Sequence, residues 1–318
     1  MTDTTVLIRD LRPGDPVDAE AVVRVRRATL PFMITTAAGV ASELTNSPPA
    51  RRHRILVAQT PDGHVVGTAQ AGIAHDSPEP GRSYLNAYVD PAHRGRGAGT
   101  ALLRTAEAYL AAEGAVDVYA WVLDEPGHRA FAERHGYRAS RSAHFLRLDL
   151  TAGTLPAPPD ALPAGVELRP GSAFAADPRP LFEADAETTA DEPGDIDTEF
   201  DDYEDWVRHT WNNPDLDKDL TTVVLVDGAV AAFTAALTDG GTRYASAMTG
   251  TLRAHRGRGL ARLAKADSLR RARAAGYTEA FTGNDAGNAP MLAVNARFGY
   301  EICATEVRHA KRLGEDRP

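Results

Sequence analysis

The chain contains the same six residues twice, and this repeat constrains its fold more than any other feature. The sequence AHRGRG occupies positions 92–97 and again positions 254–259. Its first arginines, Arg94 and Arg256, are 162 positions apart, and two later glycines, Gly114 and Gly276, keep that spacing. A constant offset over this length predicts a tandem duplication in which both halves adopt one fold.

A stretch rich in proline and alanine separates the two halves. Residues 151–165 read TAGTLPAPPDALPAG, and prolines at this density exclude both a helix interior and a central strand. Such a composition is typical of a semi-extended linker. We therefore predict an N-terminal domain at residues 1–150, a linker at 151–164 and a C-terminal domain at 165–318.

Each half carries the same order of secondary-structure signals. Asp62-Gly63 and Asp227-Gly228 each lie between two apolar runs, which is a strong signal for a β-hairpin. A strand then leads into the repeated turn, and a long amphipathic helix follows, ending at Gly114 or Gly276. The predicted unit is β-α-α-β-β-β-α-β-α-β. Before the hairpins, the sequence predicts helices at Pro16–Thr29, roughly Ala37–Asn46, Pro178–Ala190 and Tyr203–Asn212.

The repeated turn has the composition of an anion site. The start of a helix leaves backbone N–H groups unpaired, and the helix dipole favours a negative charge there. Glycines let a pyrophosphate approach the backbone, and the arginines add charge-assisted hydrogen bonds. The surrounding hairpins disfavour a dinucleotide-binding Rossmann fold, and no Gly-Lys-Ser/Thr follows as in a P-loop.

The two turn segments, VDPAHRGRGAGTALL and TLRAHRGRGLARLAK, resemble the acyl-CoA pyrophosphate-binding motif of the GNAT superfamily of N-acyltransferases. The resemblance covers both halves. It implies an α/β (α+β) fold of two tandem GNAT-like domains, each a mixed, mostly antiparallel sheet flanked by helices. The sheet would splay between the strand before the motif and the strand after the long helix, and the pantetheine arm would lie in that gap.

The resemblance also implies which residues bind acetyl-CoA or another acyl-CoA, the expected co-substrate. In the C-terminal half these are Thr251, Leu252, Arg253, Arg256, Gly257, Arg258, Gly259, Leu260, Ala261, Asn284, Asn288 and Met291. In the N-terminal half they are Val89, Arg94, Gly95, Arg96, Gly97, Ala98 and Gly99.

The implied reaction is direct attack of a neutral amine on the thioester. The strand ends at Val89 and Thr251 would pair with the pantetheine and polarise the thioester carbonyl. A base or water relay would take the ammonium proton, and an acid can assist the leaving thiolate. Members of the family often carry a tyrosine as this acid, and Asn295 occupies that position. Either Asn295 hydrogen-bonds the sulfur or a water, or it only packs in its helix.

The halves differ where the acyl arm would lie. The later glycines Gly136 and Gly299 are 163 positions apart, one more than the turns. In that register, Trp121, Glu125 and Ala132 replace Asn284, Asn288 and Asn295. A bulky indole and an anion would crowd or repel the arm. We therefore predict that the C-terminal half is catalytic, and that the N-terminal half is a scaffold or binds CoA vestigially.

An acidic stretch precedes the hairpin of the C-terminal half. Asp191, Glu192 and Asp195 within it are candidates for binding a cationic amine or for acting as the base, with Asp191 and Glu192 preferred as catalytic residues. The alternative is a solvated acidic loop, which is what most charge runs are.

Composition narrows the functional classes. A net charge of −9 disfavours general nucleic-acid binding, and a lone Cys303 excludes an internal disulfide. The sequence shows no signal peptide and no apolar run that would span a bilayer. We expect a soluble, cytoplasmic bacterial enzyme with a small amine substrate, no membrane partner and no metal.

Two alternatives stay open: a catalytically silent acyl-CoA sensor, and another donor such as a longer acyl-CoA or an aminoacyl-tRNA.

Overall fold

A computed structural model describes residues 6–152, 155–157, 159, 161–192, 194–195 and 202–314. The chain divides into two compact units. Unit 1 is the described part of Met1–Ala143 together with that of Ala304–Pro318, and unit 2 is the described part of His144–Cys303. Both units contain the element order that the repeat predicts, so the fold class is confirmed.

Unit 1 begins with a strand and two helices. Its first helix starts where the sequence predicts, because Pro16 is preorganised at the first helical position and the Asp15 carboxylate accepts a hydrogen bond from the Val17 N–H. The elements are β1 (Leu7–Asp10), α1 (Pro16–Thr29), α2 (Ala37–Thr45), β2 (Arg54–Gln59), β3 (Val65–Ile73), β4 (Arg82–Val89), α3 (Ala98–Ala112), β5 (Asp117–Leu123) and α4 (Pro126–Arg134).

Two strands belong partly to each unit. Strand β6 (Arg138–Asp149) starts in unit 1 and ends in unit 2, whereas β12 (Glu301–Arg312) starts in unit 2 and ends in unit 1. The compact units therefore differ from a simple cut at residues 150 and 165. Within unit 1, β12 pairs with β5 in antiparallel register, with Val307 opposite Val122, and so satisfies the backbone groups along that edge of β5.

The strands of unit 1 follow the order β1-β2-β3-β4-β5-β12. All of these pairs are antiparallel except β4 with β5, which is parallel. Helices cover both faces of the sheet. One apolar cluster joins α3 to one face, including Leu102 and Leu85, and a second joins α1 and α2 to the other, including Val22 and Ile55.

Unit 2 repeats this arrangement with the order β7-β8-β9-β10-β11-β6. Strands β10 and β11 form its parallel pair. The predicted helix at Tyr203–Asn212 is an α-helical turn that continues as a π-helical turn over Val207–Trp211. The elements are β7 (Val166–Pro170), α5 (Arg179–Thr189), α6 (Tyr203–Trp206), β8 (Thr222–Val226), β9 (Ala229–Thr238), β10 (Arg243–Thr251), α7 (Leu260–Ala274), β11 (Glu279–Asp285) and α8 (Ala289–Arg297).

Candidate active site

The two glycine-rich turns have the same backbone conformation. Gly95 and Gly257 have φ angles of 74° and 76°, and Gly97 and Gly259, which begin α3 and α7, have φ angles of 87° and 74°. Only glycine adopts these angles without strain. Within the described chain, no side chain caps either helix, so the first backbone N–H groups of α3 and α7 are open to an anion, as the sequence predicts.

The first arginine of each turn has a structural contact that the sequence analysis missed. Arg94 Nε donates to the Val89 carbonyl at 3.3 Å, and Arg256 Nε donates to the Thr251 carbonyl at 3.3 Å. Each guanidinium thus ties its turn to the end of the preceding strand. Their predicted contact with the pyrophosphate stays a prediction.

Asp191 lies in an ion pair with two arginines of unit 2. Its carboxylate bonds Arg253 at 2.7 and 2.9 Å and also accepts a hydrogen bond from Arg256. Hydrogen bonds from these two guanidinium groups lower the pKa of Asp191 to about 2. The two arginines therefore hold Asp191 beside the turn of unit 2, and its role in binding an amine or acting as the base stays a prediction.

The rest of the predicted acceptor segment is described only in part. Glu192 is exposed, and its backbone N–H donates to the Thr189 carbonyl. Residues 193 and 196–201 of the acidic stretch lie outside the described residues. The roles of Glu192 and Asp195 stay predictions.

Both sheets splay next to the turn, as the family resemblance implies. In unit 2 the parallel pairing of β10 with β11 ends at Ser246 opposite Thr282, although β10 continues to Thr251. In unit 1 the pairing of β4 with β5 ends at Tyr84 opposite Tyr119. Beyond these residues β10 and β4 remain paired with β9 and β3, but their edges facing β11 and β5 leave a gap into which an extended chain fits as an additional strand.

A buried polar chain reaches the gap of unit 2. Lys265 Nζ on α7 donates to Asn295 Oδ1 on α8 at 2.5 Å, and Asn295 Nδ2 donates to Asn284 Oδ1 on β11 at 2.6 Å. Lys265 and Asn295 are both 0% exposed. Burial lowers the pKa of Lys265 to about 7, because desolvation disfavours the charged amine.

This chain changes the interpretation of Asn295. Both ends of its amide are engaged inside the protein, which favours the packing alternative for Asn295, and its contact with the sulfur or a water stays a prediction. Sequence reasoning missed Lys265, although a lysine on the apolar face of a helix between Ala264 and Leu269 is a signal that could have found it. Unit 1 has Leu103 at the corresponding place, 162 positions earlier.

Asn288 also has a local contact. It caps α8, and its Oδ1 accepts a hydrogen bond from the Met291 N–H at 3.3 Å. The side-chain oxygen is therefore used by the helix. The contacts predicted between Asn288 or Met291 and the acyl arm stay predictions.

Unit 1 contains an open cleft at its turn. A cavity of about 560 Å³ extends from the turn at Arg94 to the wall formed by Trp121, Glu125 and Glu306. Trp121 and Glu125 line the wall of this cavity, and the expectation that they crowd or repel the acyl arm stays a prediction. The Trp121 ring is held aside by the guanidinium groups of Arg141 and Arg308, which lie 5.3 and 5.1 Å from its centroid.

Glu306 is a second functional candidate that sequence reasoning missed. It comes from β12, is 6% exposed and lines the cleft of unit 1. Burial raises the pKa of Glu306 to about 7, against the opposing effect of Arg308. Nothing local in the sequence marks this residue, because its environment depends on the pairing of β12 with β5.

Among the described residues, no helix combines the length and apolar character needed to cross a bilayer. Likewise, no three His, Cys, Asp or Glu side chains come together there as metal ligands would.

Comparison with known proteins agrees with this geometry. The profile of the Acetyltransferase (GNAT) family matches residues 36–137 and 182–300. The chain is 30% identical over 259 residues to the mycothiol acetyltransferase of Clavibacter michiganensis subsp. michiganensis (strain NCPPB 382), which covers 81% of this chain and 80% of that protein. It is 29% identical over 271 residues to the mycothiol acetyltransferase of Nocardiopsis dassonvillei, covering 78% and 79% of the two chains.

Solved structures show the same fold. A tandem GNAT protein from the clavulanic acid biosynthesis pathway superimposes with a TM-score of 0.72 at 21% identity, over 98% of this chain and 100% of that one. A GCN5-related N-acetyltransferase from Sphaerobacter thermophilus gives a TM-score of 0.69 at 21% identity, over 98% of each chain.

Proposed function

Because this chain belongs to the GNAT family of acetyltransferases, we propose that it transfers an acetyl group from acetyl-CoA to the amine of a small molecule, with unit 2 as a catalytic unit. The observation that carries the proposal is the splayed strand pair of unit 2. Strand β10 leaves β11 after Ser246 and runs on to Thr251, where the glycine turn and the start of α7 follow.

The proposed mechanism assigns a distinct task to each part of this site. The open N–H groups at the start of α7 would hold the pyrophosphate, and the pantetheine would extend along the free edge of β10. Backbone N–H groups near Thr251 would donate hydrogen bonds to the thioester carbonyl and polarise it. These hydrogen bonds would become stronger when the oxygen becomes negative in the transition state. Asn284 would add a side-chain amide donor from the opposite strand.

The chemical step needs little acid assistance. The amine nitrogen attacks the carbonyl carbon, and the C–S bond of the tetrahedral intermediate then breaks. A thiol with an ordinary pKa of about 8.5 leaves as the thiolate without full protonation. This accounts for a site in which Asn295 replaces the usual tyrosine.

The names of the two similar proteins suggest the class of the acceptor amine. Both are named mycothiol acetyltransferases, so we propose a small amine of the same chemical class. Mycothiol lacking its acetyl group is the first compound to test. Longer acyl-CoA donors belong in the same assay.

The proposal is tested by CoA release from acetyl-CoA with a panel of amines. We expect amine-dependent release by the wild type and at least about tenfold weaker binding of acetyl-CoA at unit 2 in Gly259→Asp, because the new carboxylate occupies the helix N-terminus and repels the pyrophosphate. Gly276→Asp is the matched control, since Gly276 also has a positive φ, of 96°, and lies beyond the other end of α7. Tight CoA binding without release for any amine would instead identify a silent acyl-CoA sensor.

A further inference from the structure

We propose that the cleft of unit 1 is a second acyl-transfer centre, in which the Glu306 carboxylate acts as general base for a small amine. The inference rests on the proposed function in one respect, namely that the chain uses an acyl-CoA donor. It assigns catalysis to the half whose sequence predicts a scaffold.

The cleft connects a donor site with a buried carboxylate. Its lining begins at the turn, with Gly97 and Gly99, and continues past the end of β4 at Val89. It reaches Thr29 at the end of α1 and Glu306 on β12. One continuous cavity thus offers a phosphate-binding helix start, a free strand edge and a titratable group, which are the parts that acyl transfer needs.

The strand register places Glu306 on the face opposite the donor helix. Val118, Ala120 and Val122 of β5 pack in the apolar cluster of α3, so Trp121 and Leu123 project from the other face. Glu306 is directly opposite Leu123, and residues directly opposite in an antiparallel pair share a face.

Two further observations agree with this placement of Glu306. Arg308, two residues along β12, lies over the Trp121 ring. Tyr88 packs in the cluster of α1 and α2, and its pKa is raised by burial and by the nearby Glu306 and lowered by Arg26 of α1. Glu306 therefore faces the α1 side of the splayed sheet, where an amine could approach a thioester held in the gap from the opposite side.

The surroundings of Glu306 suit a base that works near neutral pH. Burial disfavours its charged form and raises its pKa to about 7, close to the value at which a base is both ionised and able to take a proton. The charged and titratable groups on the elements around it are Arg308 on β12, Tyr88 on β4, Arg26 on α1, Glu43 on α2, Arg141 on β6, and Glu125 and His128 on α4.

The Glu306 carboxylate takes one proton from the ammonium form of the substrate, and the free amine attacks the thioester carbon. The tetrahedral intermediate expels CoA as the thiolate, which takes the second nitrogen proton and leaves as the thiol. The products are the amide, free CoA and one proton, which Glu306 returns to water.

The test uses the full-length chain and the two equivalent turn glycines. Gly97→Asp blocks the turn of unit 1 and Gly259→Asp that of unit 2, and calorimetric titration counts the acetyl-CoA bound. We expect two equivalents for the wild type and one for each variant. Gly259→Asp should retain amine-dependent CoA release, and its kcat/KM should rise with pH to a plateau with a midpoint near neutrality.

Glu306→Gln in the Gly259→Asp background should lower the remaining release at least tenfold without changing the number of acetyl-CoA equivalents bound. Glu306→Asp, which keeps a carboxylate, should retain more activity than Glu306→Gln. Glu133→Gln, an exposed change on α4, is the control for the loss of one negative charge.

Three outcomes separate this proposal from the proposed function. If Gly259→Asp binds one acetyl-CoA but releases no CoA with any amine, the second centre is overturned and catalysis by unit 2 stands. If Gly97→Asp alone abolishes release, unit 1 is the centre and the assignment of unit 2 fails. If the wild type releases no CoA with any amine, both proposals fail.

Discussion

At the scale of single residues, the chemistry of Lys265 determines how the Asn284 amide is oriented. Lys265 Nζ donates to Asn295 Oδ1, so Asn295 turns its Nδ2 toward Asn284. Asn284 then presents Oδ1 to Asn295. Its own Nδ2, which donates to no group in the described residues, is left as the donor for the gap.

Asn295→Asp tests this orientation. The new carboxylate keeps an acceptor for Lys265 but donates nothing to Asn284, whose amide should rotate and present its oxygen to the gap. Loss of one donor to a buried substrate carbonyl should weaken acetyl-CoA binding by unit 2 about tenfold, measured by calorimetric titration. Asn46→Asp on α2 makes the same change in a C-cap of unit 1 and should leave binding unaltered. Unchanged affinity in Asn295→Asp would contradict the orienting role.

At the scale of elements, the last strand of the chain supports the first unit. Strand β12 pairs with β5 over Glu306–Arg312, and Lys311 on it makes an ion pair with Glu107 of α3 at 2.8 Å. Because β6 also neighbours β12, both edges of β12 are paired. A defect in residues 304–312 should therefore weaken unit 1, although these residues directly follow unit 2 in sequence.

Ala310→Pro tests this assignment of the strand. Proline removes a backbone donor from a strand with neighbours on both edges, and should destabilise unit 1 by about 3 kcal/mol or more. Hydrogen exchange followed by mass spectrometry should show faster exchange in β4 and β5, with β8 and β9 unchanged. Ala310→Ser keeps the N–H and serves as the control. Faster exchange confined to β8 and β9 would show that the strand belongs to unit 2.

At the scale of the whole molecule, the two units should respond to pH in opposite directions. Glu306 in unit 1 has a pKa raised from 4.5 to about 7. Between these values the folded state holds a proton that the unfolded state has lost, so the free energy of unfolding falls as pH rises. Lys265 in unit 2 has a pKa lowered from 10.5 to about 7. In that window the unfolded state holds the extra proton, so the free energy of unfolding rises with pH.

Glu306→Gln and Lys265→Met isolate these contributions in thermal and urea unfolding at a series of pH values. The wild type should lose stability relative to Glu306→Gln between about pH 4.5 and 7, and gain stability relative to Lys265→Met between about pH 7 and 10.5. Each difference should be on the order of a few kcal/mol. The free energy of unfolding of Glu133→Gln, plotted against pH, should run parallel to that of the wild type. If the plots of unfolding free energy against pH were parallel for the wild type and all three variants, the fold would not shift the pKa of Glu306 or of Lys265.

The sequence by itself determined the duplication, the order of elements and the conformation of the two turns. These features depend on residues that are close along the chain, such as Gly257 and Gly259 or Asp62 and Gly63, where the torsional freedom of glycine and the pairing of near neighbours decide the structure. The family resemblance added the splayed gap, whose position the parallel pairing confirms.

Only the tertiary structure decided the electrostatics of the clefts. Lys265 meets Asn295 across 30 positions, Asp191 meets Arg253 across 62, and Glu306 reaches the cleft beside Tyr88 from another part of the chain. A pKa depends on burial and on the nearest charges, and both are set by which helices and strands pack together. The sequence therefore located two equivalent phosphate turns, and packing decided that an aspartate supports a turn, an asparagine orients its neighbour, and a glutamate from the last strand lies in the first cleft.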